Sequence, residues 1–507
     1  MEAKLNADTI NYLRKNLDTS FTHEETEETI VPDSMPDVDR ILDTDGVVTI
    51  RSKEADNGRI SLSGTIAVTV IYLSLESGGI HKLEMDIPFT TGVDAAGVSD
   101  ESRLTAVAKI GNIDARTINS RKIIIRTDLI IEVRAFEDSE FIFFTEIEED
   151  EDCQVLSGSS NATLITQVQE KSFSLADEFP MPAGKPRMGQ ILKTRVALES
   201  EDVKTVGNKL IFKGAAIIHV LYRSDSDELT SVDFSASFSQ IMEMAEEDED
   251  QDVEIKFMLT NFYVEQGSGA EEAMIAVEIN AVAQAVAKKR RELAYISDIY
   301  STAYEINDTR ETIAVDSEEK AFTVTASMRE TIESSEQASK IIDTSVTVGK
   351  AHFSEEGDGI SLKTNAAVSV IYMTEDGKLG GLSKKIEVST TADYSSNMIS
   401  GVSAAAGDIQ VAALGSGIDV SVPVHFEVRS NNKLKISAVT GVEWDEESPR
   451  DLSALPSVVV HHAKEGESLW NMAKNFASTE SLIMMANNLE EDAVIQPGQF
   501  FIVPKRR

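Results

Sequence analysis

Ile60-Ser-Leu-Ser-Gly-Thr-Ile-Ala-Val-Thr-Val-Ile-Tyr72 is crowded with β-branched residues and too short for an amphipathic helical stripe, so it reads as a strand. The block recurs as Leu210-Ile-Phe-Lys-Gly-Ala-Ala-Ile-Ile-His-Val-Leu-Tyr222, and again as Ile360-Ser-Leu-Lys-Thr-Asn-Ala-Ala-Val-Ser-Val-Ile-Tyr372. The spacing is 150 residues both times. Arg40-Ile-Leu-Asp-Thr44, Gln190-Ile-Leu-Lys-Thr194 and Lys340-Ile-Ile-Asp-Thr344 repeat in the same register. Two blocks in one register predict three copies of one domain, and so long a period predicts separate beads rather than a solenoid.

Around these blocks the pattern stays that of strands. Ile125, Leu129, Ile131 and Val133 alternate, as do Ile418, Val420, Val422, Val424, Phe426 and Val428. Asp56-Asn-Gly58, Ser77-Gly-Gly79 and Glu375-Asp-Gly377 supply turns. Ala281–Leu293 has local helix propensity, but its counterparts around Glu137-Asp-Ser139 and Ser430-Asn-Asn432 look like hairpin tips. Ala281–Ile299 is therefore predicted to be strand, hairpin, strand. The fold class is mostly β: three tandem sandwich-like or half-barrel copies and a small βααβ unit. The predicted limits are an N-terminal helix in 1–20 (Ala7–Leu17 at its centre), copies over 21–155, 165–300 and 318–445, a linker over 446–456, and a final module over 457–505. Ser157-Gly-Ser-Ser160, Asn307-Asp-Thr-Arg310 and Asp445-Glu-Glu-Ser-Pro449 are the expected linker signals.

Composition restricts function. The 507 residues include 47 Lys+Arg against 87 Asp+Glu, a formal charge of −40 that argues against nucleic acid or an anionic membrane as the main partner. No apolar run suggests membrane insertion, the N-terminus lacks a secretory h-region, and the single Cys153 fits a reducing compartment. No P-loop, HExxH, paired CxxC or GxSxG motif occurs, and Cys153 lies in an acidic setting that suppresses its thiolate. His461 and His462 are adjacent, so a strand would point them to opposite faces; His219 and His425 read as satisfied sheet residues. The acidic runs Glu148–Asp152 and Glu246–Asp250 lack the alternating ligands of a calcium loop and read as solvated charge. The expectation is a non-enzyme with no cofactor and no metal.

The last fifty residues differ in kind. Val458-Val-Val-His-His462 reads as a strand, Ser468 as an N-cap, and Leu469, Met472, Ala473 and Phe476 as a helical face. A second helix through Leu482–Ala486 and a closing strand Phe500–Val503 complete the unit. Gly466-Glu-Ser-Leu-Trp470, Ala473-Lys-Asn-Phe476, Asn487-Asn-Leu489 and Pro497-Gly-Gln499 resemble a LysM module. Three β-rich copies followed by one LysM resemble the SipL-type spore coat morphogenetic proteins of clostridia, whose repeats are SPOCS domains. Copy three departs from the pattern, with Thr364 where the others have Gly64 and Gly214.

The resemblance implies a cytoplasmic protein of the sporulating mother cell, acting at the forespore surface as a scaffold in spore coat assembly. It implies docking through LysM to the coat-basement ATPase, with other coat proteins as further partners. The competing class is a binder of N-acetylglucosamine glycans through the same module. By either reading the site lies between two loops: Lys464, Gly466, Glu467, Ser468, Leu469 and Trp470 on one side, and Ile495, Gln496 and Pro497 on the other. Glu467 and Ser468 stand where sugar-binding relatives commonly have Asp and Thr. Trp470 has two readings: a core aromatic of a very small domain, or an exposed anchor for a partner.

Overall fold

The structure is a computed structural model that describes residues 5–148, 152–245, 250–267, 274–334, 336–357, 359–414, 417–450, 456–490 and 493–505. Copy one contributes β1 (Leu5–Ile30), β2 (Val38–Asp56), β3 (Arg59–Ser74), β4 (Ile80–Asp94), β5 (Arg103–Asn119) and β6 (Lys122–Ile147). Copy two contributes β7 (Cys153–Pro180), β8 (Met188–Val206), β9 (Lys209–Ser224), β10 (Leu229–Glu243), β11 (Asp252–Gly267) and β12 (Met274–Ser301). Copy three contributes β13 (Tyr304–Glu333), β14 (Ala338–Val348), β15 (His352–Glu356), β16 (Gly359–Thr374), β17 (Leu379–Ala392), β18 (Ile399–Ala406), β19 (Gln410–Leu414) and β20 (Gly417–Pro449). Among the described residues no helix is long and apolar enough to cross a membrane.

The three 150-residue blocks become β3, β9 and β16, each the central strand of an antiparallel meander: β2-β3-β4, β8-β9-β10, and β14/β15-β16-β17. Tyr72, Tyr222 and Tyr372 are buried at matching ends. The first two donate to the carbonyls of Pro36 (3.2 Å) and Pro186 (2.8 Å), while Tyr372 bonds the Ser334 hydroxyl (2.8 Å). The copy-three departure at Thr364 has a local cause. Gly64 and Gly214 face Phe89 and Phe238, whose rings lie 2.6 and 2.7 Å from where a Cβ would stand. Thr364 faces Val388 instead, and its hydroxyl donates to Gly349 O at 2.8 Å. A Cβ at Gly64 or Gly214 would first meet the carbonyl of Thr49 or Glu199, at 2.1 and 2.2 Å; in copy three β14 ends at Val348, and the equivalent carbonyl, of Gly349, accepts from the Thr364 hydroxyl.

Other expectations are overturned. The N-terminal helix does not form: Ala7–Leu17 lies within β1, paired to β6 from Leu5 to Ile30. Tertiary pairing and the two-sided burial of Ile10 and Leu13 outweigh local propensity. Ala281–Ile299 is strand, as predicted, but without a hairpin; it belongs to the single 28-residue strand β12. Glu137-Asp-Ser139 and Ser430-Asn-Asn432 likewise lie inside β6 and β20. The polar residues that imitate a turn meet charges on strands of the other copies, Arg291 with Asp8 of β1 at 2.6 Å and Lys288 with Glu319 of β13. The linkers at Ser157–Ser160 and Asn307–Arg310 are also absent, because they are parts of β7 and β13. Gly158 is there for close packing: a Cβ would stand 2.8 Å from the Tyr295 ring. Asp445–Pro449 ends β20, and the side chains of 444–448 lie outside the described residues. Most of each acidic run, 149–151 and 246–249, also lies outside them.

The copies are not separate beads. In each, the first and last strands (β1 with β6, β7 with β12, β13 with β20) pair along their whole length. Half of each pair covers its own meander, and the other half runs on as a two-stranded ribbon. The three ribbons share a core of Ile10, Phe141, Phe143, Leu164, Leu293, Val315 and Ile436. Cys153 is buried against Ile296, Ile299 and Val439, a strand residue rather than a linker cysteine.

The meanders meet around one axis, where Leu42, Leu192 and Ile342 join Ile71, Leu221 and Ile371, each set 150 residues apart. Beside them the equivalent residues Asp43, Lys193 and Asp343 are 1% exposed. Lys193 lies 2.5 Å from Asp343 and bonds Asp43, while Ser369 donates to Asp43 at 2.6 Å. Burial alone would depress the Lys193 ammonium; Asp43, Asp343 and Asp45 together hold it above its usual value. Burial would raise Asp343, but Lys193, His219 and Arg195 keep it far below the carboxylate range. One cation between two acids lets three homologous positions share a buried site that three aspartates could not.

Candidate functional site

The C-terminal module consists of β21 (Val458–His462), α1 (Leu469–Asn475), α2 (Glu480–Asn487) and β22 (Phe500–Pro504). Ser468 caps α1, accepting from Asn471 N at 3.1 Å, and Thr479 caps α2, accepting from Leu482 N at 3.2 Å. The helices pack on one face of the β21–β22 pair, where Met472, Ala473, Ile483, Phe501 and Val503 are buried. His461 points inward to Glu467 and His462 outward against Phe500, as a strand requires.

The predicted loop residues do come together, but in mixed roles. Ala463 N donates to Gln499 O at 2.9 Å and Gly498 N to Ala463 O at 2.8 Å, so the two loops are tied at their base. Lys464 is exposed, and Gly466 takes φ +75° at the tip of the first turn. Glu467 is engaged within the module: its carboxylate accepts from Lys464 N at 2.9 Å and lies 2.8 Å from His461 Nε2. Burial would raise this acid, and those two contacts hold it below its usual value. Leu469 and Ile495 are half-buried against the module's core, while Gln496 and Pro497 are exposed.

Trp470 lies in the module's core and touches the repeat body as well. It is 5% exposed, and part of what covers it is the repeat body. Its ring meets Tyr300 of β12 edge-on at 4.8 Å, and its indole N–H donates to Asp298 Oδ2 at 2.7 Å. Lys474 bonds Asp298 Oδ1 at 2.5 Å, Arg310 joins the same carboxylate, and Tyr300 donates to Ser478 O at 3.0 Å. Burial would raise Asp298, but the Lys474 and Trp470 hydrogen bonds and the nearby cations keep it low. Trp470 thus fastens the module to the repeat body. The Asp298 and Tyr300 half of this contact escaped the sequence reading, since both sit in an ordinary alternating strand.

Among the described residues no group of three or more His, Cys, Asp or Glu side chains could hold a metal. His219 is engaged by Asp233 (2.6 Å) and Asp343 (2.8 Å), and His425 by Thr325 (2.9 Å), so both are satisfied sheet residues.

Comparison with known proteins agrees with the two-part architecture. The SipL, SPOCS domain family matches residues 37–118 and 187–266, and the LysM domain family matches 461–504. The two SPOCS segments run from the β2 and β8 meanders into β5 and β11, and copy three has a meander of the same kind around β16. No curated protein and no solved structure matches the chain. SPOCS and LysM are non-catalytic domain families, and the SPOCS match relates the protein to sporulation. The chain therefore carries the domain set of a SipL-type protein, SPOCS domains ahead of a C-terminal LysM domain.

Proposed function

We propose that the chain is a non-catalytic adaptor in bacterial spore coat assembly, working from the mother-cell cytoplasm at the forespore surface. The repeat body is the platform, available to other coat proteins, and the LysM domain holds the coat-basement ATPase. The observation that carries this reading is the way LysM is mounted. Trp470, Lys474 and Ser478 fasten one side of it to Asp298 and Tyr300, so the domain sits at a fixed place on a repeat body with a shared core. An adaptor needs such a fixed relation between its two ends. The second reading, binding of an N-acetylglucosamine glycan, is favoured by the LysM match itself and by the exposed loop residues Lys464, Gln496 and Pro497.

The test is capture of the ATPase from sporulating lysate by the full chain and by a chain ending at Asp451. Capture by the first alone supports the adaptor reading. Equal capture by both would move the binding site to the repeats, and capture by neither, with retention on chitin beads, would favour the glycan reading.

A further inference from the structure

The outer face of the β21–β22 pair is apolar along its length. Val458, Val460 and His462 stand opposite Pro504, Ile502 and Phe500. Val458 is 52% exposed, Val460 63%, Phe500 64% and Ile502 44%, and the His462 and Phe500 rings lie 3.9 Å apart. A two-stranded sheet covered by helices on one face should alternate apolar with polar residues. Here the uncovered face is as apolar as the covered one, on a domain whose opposite side is already fastened to the repeat body.

We propose that this strand face is the surface by which the LysM domain grips its partner, and that the partner offers an apolar protein surface ringed by basic side chains. The proposal rests on the adaptor reading above and gives it a surface. Apart from His462 at one end, the face has no side-chain hydrogen-bonding atoms, so a sugar laid across Val458, Val460, Phe500 and Ile502 would bury hydroxyls without partners. An apolar protein surface loses nothing there and gains burial. Charge selects the surround. Residues 457–507 carry five basic and six acidic side chains, against 47 and 87 in the whole chain, so the patch is a near-neutral island on a polyanion. A basic ring around the partner's apolar centre would be steered in by that field, whereas a second copy of this chain, itself at −40, would be repelled.

The experiment titrates purified coat-basement ATPase into the full chain and into two variants. One is Val460→Glu with Ile502→Glu. The other is Met485→Glu, a control at an apolar residue of α2 that is 76% exposed. The face predicts a loss of affinity of about tenfold or more for the first and little change for the second, with wild-type affinity falling as salt is raised. Equal binding by all three proteins overturns this surface and leaves the adaptor reading intact, as does a loss confined to Met485→Glu. No binding by the wild type overturns both. Tight binding of chitin oligomers that the double substitution abolishes overturns the partner class. If the glutamate pair unfolds the domain, Val460→Thr with Ile502→Thr keeps β-branched side chains and makes the same comparison.

Discussion

The axis of the repeat body and the LysM domain treat their surfaces in opposite ways. At the axis both faces of β3, β9 and β16 are covered, and even the buried acids Asp43 and Asp343 share a lysine. The LysM domain also buries a polar contact, Trp470 to Asp298, yet leaves a full strand face of Val458, Val460, Phe500 and Ile502 bare. The body also exposes single apolar residues such as Ile30, Leu75 and Tyr263, but the module exposes four on one two-stranded face. On the proposed function binding lies on the module and stability on the body, a division that can be attacked from either side.

The largest expected effect is in the body. Val220→Asp puts an unpaired charge into a position with 0% exposure, at a cost of several kcal/mol. Because the three ribbons share one core, hydrogen exchange should show all three copies losing protection together; loss confined to copy two would restore the beads reading. Next comes Lys193→Met, which leaves Asp43 buried without its lysine and Asp343 with only His219 and Arg195, and should cost about 3–5 kcal/mol in urea unfolding. Adding Asp43→Asn and Asp343→Asn should recover part of that loss. Recovery of nothing would mean that the lysine matters for packing rather than charge.

The module should respond more locally. Asp298→Ala removes the acceptor of Trp470 and the partner of Lys474 and should cost about 1–3 kcal/mol, read as a lower melting point of the LysM transition alone. The smallest effect is in pH. Burial lowers the His219 value, but its hydrogen bonds to Asp233 and Asp343 raise it above the usual one, so its contribution is whole below about pH 6.5 and fades as pH rises through the folded value. Asp343 and Asp298 are depressed, so theirs is present above about pH 4 and fades on acidification. Urea midpoints should fall off on both sides of a plateau, and His219→Gln should remove the alkaline fall.

Much of this was legible in the residues. The 150-residue register located β3, β9 and β16 and their tyrosines, and the pattern of the last fifty residues located the Ser468 cap and both strands. The length of the outer strands was not legible, because Glu137-Asp-Ser139 and Lys288–Arg291 look like turns until Arg14, Asp8 and Glu319 are known to face them. The axis left a trace that was open to reading. Val70-Ile-Tyr-Leu73 is apolar without alternation, the mark of a strand covered on both faces. The same holds for the bare LysM face, since Val458-Val-Val460 and Phe500-Phe-Ile-Val503 do not alternate either. The dock at Asp298 and Tyr300 had no such signal.

The most direct measurement of the adaptor account is calorimetric titration of the intact chain with the coat-basement ATPase and, separately, with an N-acetylglucosamine oligomer. The account predicts saturable binding of the ATPase, with a negative heat-capacity change from apolar burial, and weak or no heat from the sugar. Saturable, tight binding of the sugar with no heat from the ATPase would contradict it.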